Sequence, residues 1–227
     1  MDPKANTGKG HHASLAQPSA GFVDIDIGAP QLPGSAQQVD NGWDIIAGGA
    51  DIWEKSDQFH FLCQPLSGDF DIAVRVECFT PAHLYSKAGL MVRETLNADS
   101  PHLMFLVFAD NSPRNNNLGA YEMQFRSVAG GDCRAVYPAV RPPAPPEFPA
   151  AYPNSWLRFQ RRGDRFSAFV STDGKTWKLY GGQTLALASS GFVGLALTSH
   201  DPQKTAKASF RNYTESKPSE NVNKEPV

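Results

Sequence analysis

Residues 165–180 read RFSAFVSTDGKTWKLY, and the fold follows from how that stretch is parsed. An alternating run, RFSAFVS, leads into Asp173-Gly174, and a second run, TWKLY, leads away from it. Asp-Gly between two alternating runs predicts a β-hairpin closed by a type I′ turn. Both central residues of that turn need positive φ, which Asp tolerates and Gly accepts freely. Ser171 and Thr176 are placed to hydrogen-bond to the turn backbone, and Trp177 to return to the sheet and pack.

The same seven residues, STDGKTW, nearly spell the aspartate box of sialidase propellers, S-x-D-x-G-x-T-W. That motif has one more residue between Asp and Gly and recurs once per blade. Here it occurs once, with no internal repeat around it, so a propeller is excluded.

Outward from the hairpin the period-two pattern continues in both directions. FDIAVRVECF places Phe70, Ile72, Val74, Val76 and Cys78 on one face, against Asp71, Arg75 and Glu77. AGLMVRET sets Leu90, Val92 and Glu94 against Met91, Arg93 and Thr95. HLMFLVFAD is apolar on both faces, as a central strand would be, and YEMQFRS turns Tyr121, Met123 and Phe125 inward. Further runs stand at QFHFLCQ, SWLRFQRR, GFVGLALTS and AKASFRNY. About a dozen strands joined by tight turns, with no helical periodicity, predict an all-β jelly-roll sandwich of two antiparallel sheets.

Residues 21–215 read as a single domain between two polar, aperiodic tails, 1–20 and 216–227. One segment interrupts the strands: 138–153, PAVRPPAPPEFPAAYP, holds seven prolines and cannot be a central strand. It is expected to be an ordered surface loop carrying Phe148 and Tyr152, framed by Tyr137 and Trp156. Those rings either rim a ligand groove or pin the loop to the sandwich. Cys63, Cys78 and Cys133 fit neither a disulfide framework nor a zinc motif, and buried free thiols are expected. A near-balance of 21 basic and 23 acidic residues argues against nucleic acid or an anionic membrane as the main partner. No run of 18 apolar residues offers a membrane span.

Several spaced motifs occur together in order: GADIWEKSDQFHFLCQPLSGDFDIAVRV, SKAGLMVRE, SPHLMF, YEMQFRS, WLRFQRRGDRFSAFVSTDGKTW and GFVGLALTSH. In that order they resemble the concanavalin A-like lectin/glucanase superfamily. More narrowly they resemble the domain of unknown function labelled regulation-of-enolase-like, over about residues 24–213. The resemblance implies a jelly roll with a concave face, in the company of secreted bacterial proteins that handle polysaccharides. It therefore implies a lectin-like protein, extracellular or periplasmic. Cys63 stands where that branch has tyrosine, and the proline segment replaces a loop rich in glycine and threonine.

Polar residues on otherwise well-patterned strands are the candidates for chemistry. Arg93, Gln124 and Arg126, projecting from one sheet, would offer planar donors and an amide to sugar hydroxyls or uronate carboxylates, with His60 and His102 beside them. The alternative is a solvated polar face, and that is the reading for Arg75. His200 follows a strand end and reads as a turn-stabilising residue. Retaining glucanases need acids on one strand face about 5–5.5 Å from their partner, and no E-x-D-x-E alternation exists here. A carbohydrate-binding sandwich is therefore the expectation. A glycan hydrolase or lyase using His60, Glu94 or His102 as acid or base is the alternative, and a structural or assembly module the second. No cofactor is expected beyond the possibility of structural calcium at Asp24 and Asp26 in VDIDIGAP.

Overall fold

The computed structural model describes residues 21–114, 119–138 and 147–218. Both expected tails up to residue 20 and from 219, and residues 139–146 of the proline segment, lie outside the described residues. All strands pair antiparallel, in two sheets of seven. The first sheet runs β1 (Val23–Ile27), β4 (Phe59–Ser67), β13 (Ser190–Thr198), β6 (Lys87–Arg93), β7 (His102–Val107), β8 (Tyr121–Arg126), β9 (Arg134–Val136). The second runs β12 (Lys178–Thr184), β11 (Arg165–Ser171), β10 (Ser155–Arg162), β5 (Phe70–Thr80), β14 (Ala206–Ser216), β3 (Gly42–Ala47), β2 (Ser35–Val39). The jelly-roll sandwich expected from the alternation is the architecture found, and β14 ends at Ser216, the first residue of the expected C-terminal tail.

The core between the sheets takes alternate residues from each strand. Phe70, Ile72, Val74 and Val76 of β5 meet Leu90 and Val92 of β6 and Leu103, Phe105 and Val107 of β7. The other face of β7 is equally apolar, and Met104, Leu106 and Phe108 belong to a second cluster on the outside of the first sheet, with Phe59, Phe61, Cys63 and Met91. That outer cluster is closed by Ile52 from the β3–β4 connection and by Leu96 and Ala98 from the β6–β7 connection. The molecule thus has a third layer, made of loops.

Two local expectations change, and one of the two readings of the proline segment is met. Cys78 is exposed, not buried with Val76, while Cys63 and Cys133 are buried. The cause is a bulge: Ser209 faces Cys78 but the next residue, Phe210, faces Val76, so Glu77 is passed over and the alternation reverses. The β11–β12 connection is not a two-residue type I′ turn, because only Gly174 (φ 69°) has positive φ there and the loop spans residues 172–177. Asp173 organises it, its Oδ1 accepting from Lys175 N (2.8 Å), Thr176 N (2.7 Å) and Ser171 Oγ (2.8 Å). The proline segment's aromatics are pins: Phe148 is buried against Tyr180, and the Tyr152 hydroxyl donates to Phe108 O (2.6 Å).

Candidate functional site

Register brings four of the expected site residues together. Arg93 pairs with His102 and His102 with Arg126, a row across β6, β7 and β8, and Gln124 lies one step along β8. All four are 0% exposed. The open donor array expected from the sequence is therefore corrected: the loop layer covers it, and its donors are spent internally. Asp57, also 0% exposed, lies over the row. Arg126 grips it with two bonds (2.7 and 2.8 Å), Arg93 Nη1 is at 3.2 Å, and His102 Nδ1 at 3.6 Å. The remaining guanidinium donors reach Trp53 O, Glu54 O, Gly131 O, Ser100 O and Thr95 O. Gln124 Nε2 donates to Ile52 O (2.7 Å).

Burial drives the His102 pKa down to about 3; Asp57 opposes this and both guanidiniums reinforce it. A ring held neutral and sealed from solvent cannot serve as an acid or base for a ligand. Nearby Cys133 Sγ is 3.9 Å from His102 Nε2 and, like Cys63, is pushed up to about 12 by burial. Both are unreactive thiols.

His60 lies on the other face of the first sheet. Its ring sits between two carboxylates, Nε2 2.5 Å from Asp24 Oδ1 and Nδ1 2.9 Å from Asp26 Oδ1. The same carboxylates accept from Ala36 N and Gly34 N (3.1 and 3.0 Å), so these aspartates tie β1 to β4 and to the β2 edge. A Cβ on Gly34 would lie 2.4 Å from the His60 ring, which closes the site. Among the described residues no group of three or more His, Cys, Asp or Glu side chains is arranged to hold a metal ion. Glu94 lies just past β6, half-buried, and its Oε1 accepts from Ala188 N (2.7 Å). Arg75 is on the second sheet's outer face with Glu77 and Asn212, as its solvated reading requires.

What remains open lies at the end of the covered face where the loop layer stops. Two adjacent cavities, of about 240 and 400 Å³, share Asp51, Trp53 and His200. The smaller is completed by Tyr85, Lys87, Phe108 and Glu122. Lys87 opens β6 and Glu122 is the second residue of β8, so the strands supply the floor. Asp51 and Trp53 come from the β3–β4 connection, which Lys87 Nζ and Gln124 Nε2 hold by the one carbonyl of Ile52. Gly49 (φ 112°) lets that connection pass so close to Gln58 that a Cβ would lie 2.1 Å from its carbonyl oxygen. His200 stands two residues past β13 in the left-handed region (φ 55°), a costly place for a non-glycine residue.

The cleft's charges are ordered. Asp51 Oδ1 is 2.8 Å from Lys87 Nζ and its Oδ2 is 3.2 Å from His200 Nδ1. Burial works to raise the Asp51 pKa, but Lys87 and His200 together outweigh it and the net direction is down. Glu122, 3% exposed, moves the other way, raised chiefly by burial against the opposing pull of Lys87 and a Tyr137 hydrogen bond. Lys87 also lies 5.0 Å from the Trp53 ring centroid, and His200 stacks on His83 at 4.6 Å. None of Asp51, Trp53, Tyr85 or Lys87 stands out by strand periodicity. The available signals were an aromatic between acids in a loop, DIWE, and a histidine closing a strand, TSH.

No family model matches the sequence, and no curated protein matches it either. Solved structures do. A functionally unknown protein from Saccharomyces cerevisiae is 19% identical with a TM-score of 0.63, covering 87% of this chain and 96% of that one. The GH43 protein BlXynB of Bacillus licheniformis, as a K247S mutant, is 13% identical with a TM-score of 0.58 over 81% of this chain, but only 35% of its own. The exoplasmic/lumenal domain of VIP36, in its Ca2+/Man3GlcNAc-bound form, is 10% identical with a TM-score of 0.55 over 92% and 90%. At these identities the likeness is one of fold: the chain is a concanavalin A-like sandwich.

Proposed function

We propose that the protein is a glycan-binding sandwich whose site is the Asp51–Trp53–Tyr85–Lys87–Glu122–His200 cleft. One observation carries this: aromatic rings and convergent charged groups line a strand-floored opening at the end of that sheet face. Sugars present apolar C–H faces that aromatic rings accept, and hydroxyls that need both donors and acceptors. Lys87 and His200 supply donors, Asp51 and Glu122 carboxyl oxygens, and Trp53 and Tyr85 the rings. Opposed charges within the cleft favour a neutral sugar over a polyanion. The VIP36 domain, of the same fold, was solved with Man3GlcNAc, which makes mannose oligosaccharides the first probe. We place the chain in the regulation-of-enolase-like branch on its ordered motifs, and outside the cytoplasm on the same resemblance. No helix among the described residues is long and apolar enough to cross a membrane.

Titration calorimetry with manno-, gluco- and xylo-oligosaccharides tests the reading. Trp53→Ala is expected to weaken the best ligand about tenfold or more, the effect of roughly 1.5 kcal/mol of lost ring contact. Arg75→Ala, on the other sheet, leaves affinity unchanged. No binding by any member of the panel, or equal binding by Trp53→Ala, would sink it.

A further inference from the structure

We infer that this cleft hydrolyses the glycosidic bond of the glycan it binds, with His200 as general base, oriented by Asp51, and Glu122 as general acid. The inference rests on the glycan-binding reading above and goes beyond it. Asp51 lies 3.2 Å from His200 Nδ1, which leaves Nε2 as the ring nitrogen turned from the carboxylate, and His200 borders both cavities. A base held by a third group is the arrangement that acid–base catalysis requires. The Asp51–His200 angle is poor for a hydrogen bond, and such contacts commonly tighten once substrate is bound.

Glu122 is the cleft's second titratable partner, and its surroundings differ from those of Asp51. It is buried at the cavity floor with Phe108 and Tyr85 on the same lining, while Asp51 is held by the Lys87 ammonium and the His200 ring. Burial favours its protonated form, whereas Lys87 and His200 favour the ionised form of Asp51. Carboxyls driven apart in this way take different duties: Glu122 can give up a proton, while the ionised Asp51 holds the His200 ring. His200 also keeps a left-handed backbone that asparagine or glycine would hold more cheaply, and that strain has an evident purpose if the imidazole is used.

The step balances with water as the only co-reactant. A water's proton passes to His200 Nε2 as its oxygen bonds to the anomeric carbon. The bond from that carbon to the leaving oxygen breaks, and the leaving oxygen takes the Glu122 proton. His200 then releases its proton to solvent and Glu122 regains one. A single displacement inverts the anomeric centre.

The test uses the intact protein and whichever panel oligosaccharide binds best by calorimetry, with reducing ends and anomeric configuration followed by NMR. The wild type is expected to release inverted product. His200→Asn keeps an amide donor toward Asp51 and tolerates the left-handed backbone, and Glu122→Gln keeps shape. Each is expected to lose 100-fold or more in turnover while affinity falls by no more than about tenfold, one hydrogen-bonding contact, and the thermal midpoint is kept. A 2,4-dinitrophenyl glycoside of the same sugar, whose leaving group needs no proton, is expected to rescue Glu122→Gln but not His200→Asn, an outcome that a merely structural role would not produce. Binding without product overturns this inference and leaves the binding reading standing, and undiminished turnover in either variant overturns it as well. Absence of both binding and product overturns the two together.

Discussion

His102 shows how far one burial decision reaches. Surrounded by Arg93, Arg126 and Asp57, it is fully enclosed, and its pKa falls to about 3 from the ordinary 6.5. Below pH 6.5 the unfolded chain takes up a proton that the folded ring refuses until near pH 3. Stability from this residue is thus complete above pH 6.5 and is lost as pH falls, by roughly 3 kcal/mol at pH 4. Urea midpoints of the wild type and His102→Gln, measured from pH 7 to pH 4, check it. The wild type should lose about that much more than the variant over the interval, and parallel losses would assign the effect elsewhere. The same surroundings explain why a histidine that reads as a candidate acid or base on the strand is structural in the fold.

At the scale of elements, turns set the register and glycine sets the turns. Gly163 (φ 57°) joins β10 to β11 with nothing within 4 Å of an added Cβ, whereas at Gly174 (φ 69°) the Cβ would lie 2.7 Å from the Trp156 ring. Gly163→Ala should cost only the left-handed backbone, about 1–2 kcal/mol, and Gly174→Ala that plus displacement of the Trp156–Trp177 pair. Thermal midpoints should fall in that order, by at least a few degrees, and equal falls would mean the ring moves freely. Such local features are also what made the fold legible. Alternation marks β4 to β8 and β10 to β14 well enough to predict two sheets. It does not mark β2, whose SAQQV offers no apolar face, whereas β1, VDIDI, alternates strictly, with Asp24 and Asp26 turned to His60. The row Arg93–His102–Arg126 is legible as a common face, but its cover is not. That cover is a connection placed by long-range contacts to Asp57, and no local period reports it.

For the molecule as a whole, the loop layer is the part whose stability differs from the rest. The core between the sheets is apolar and continuous, whereas the outer cluster is closed by segments 48–58 and 94–101, held down through buried charge. Three buried cations, Lys87, Arg93 and Arg126, face two carboxylates, Asp51 and Asp57, and only Asp57 is fully enclosed. Removing one partner of such a cluster costs about 3–5 kcal/mol, since the other charges stay buried. Asp57→Asn keeps the shape and removes that charge, so the loss should appear first where the layer is attached. The Asp57 amide, bonded to Ala98 O, and the Gln58 amide, bonded to Asp51 O, should then exchange with deuterium roughly 100-fold faster. Amides of β5, β10 and β14 should keep wild-type rates, because their ladders do not pass through Asp57. A uniform acceleration would mean that the layer and the sandwich open as one unit. If they open separately, the cleft goes with the layer, since Asp51 and Trp53 ride on the segment that Asp57 holds, and glycan affinity should fall in Asp57→Asn while the sandwich stays folded.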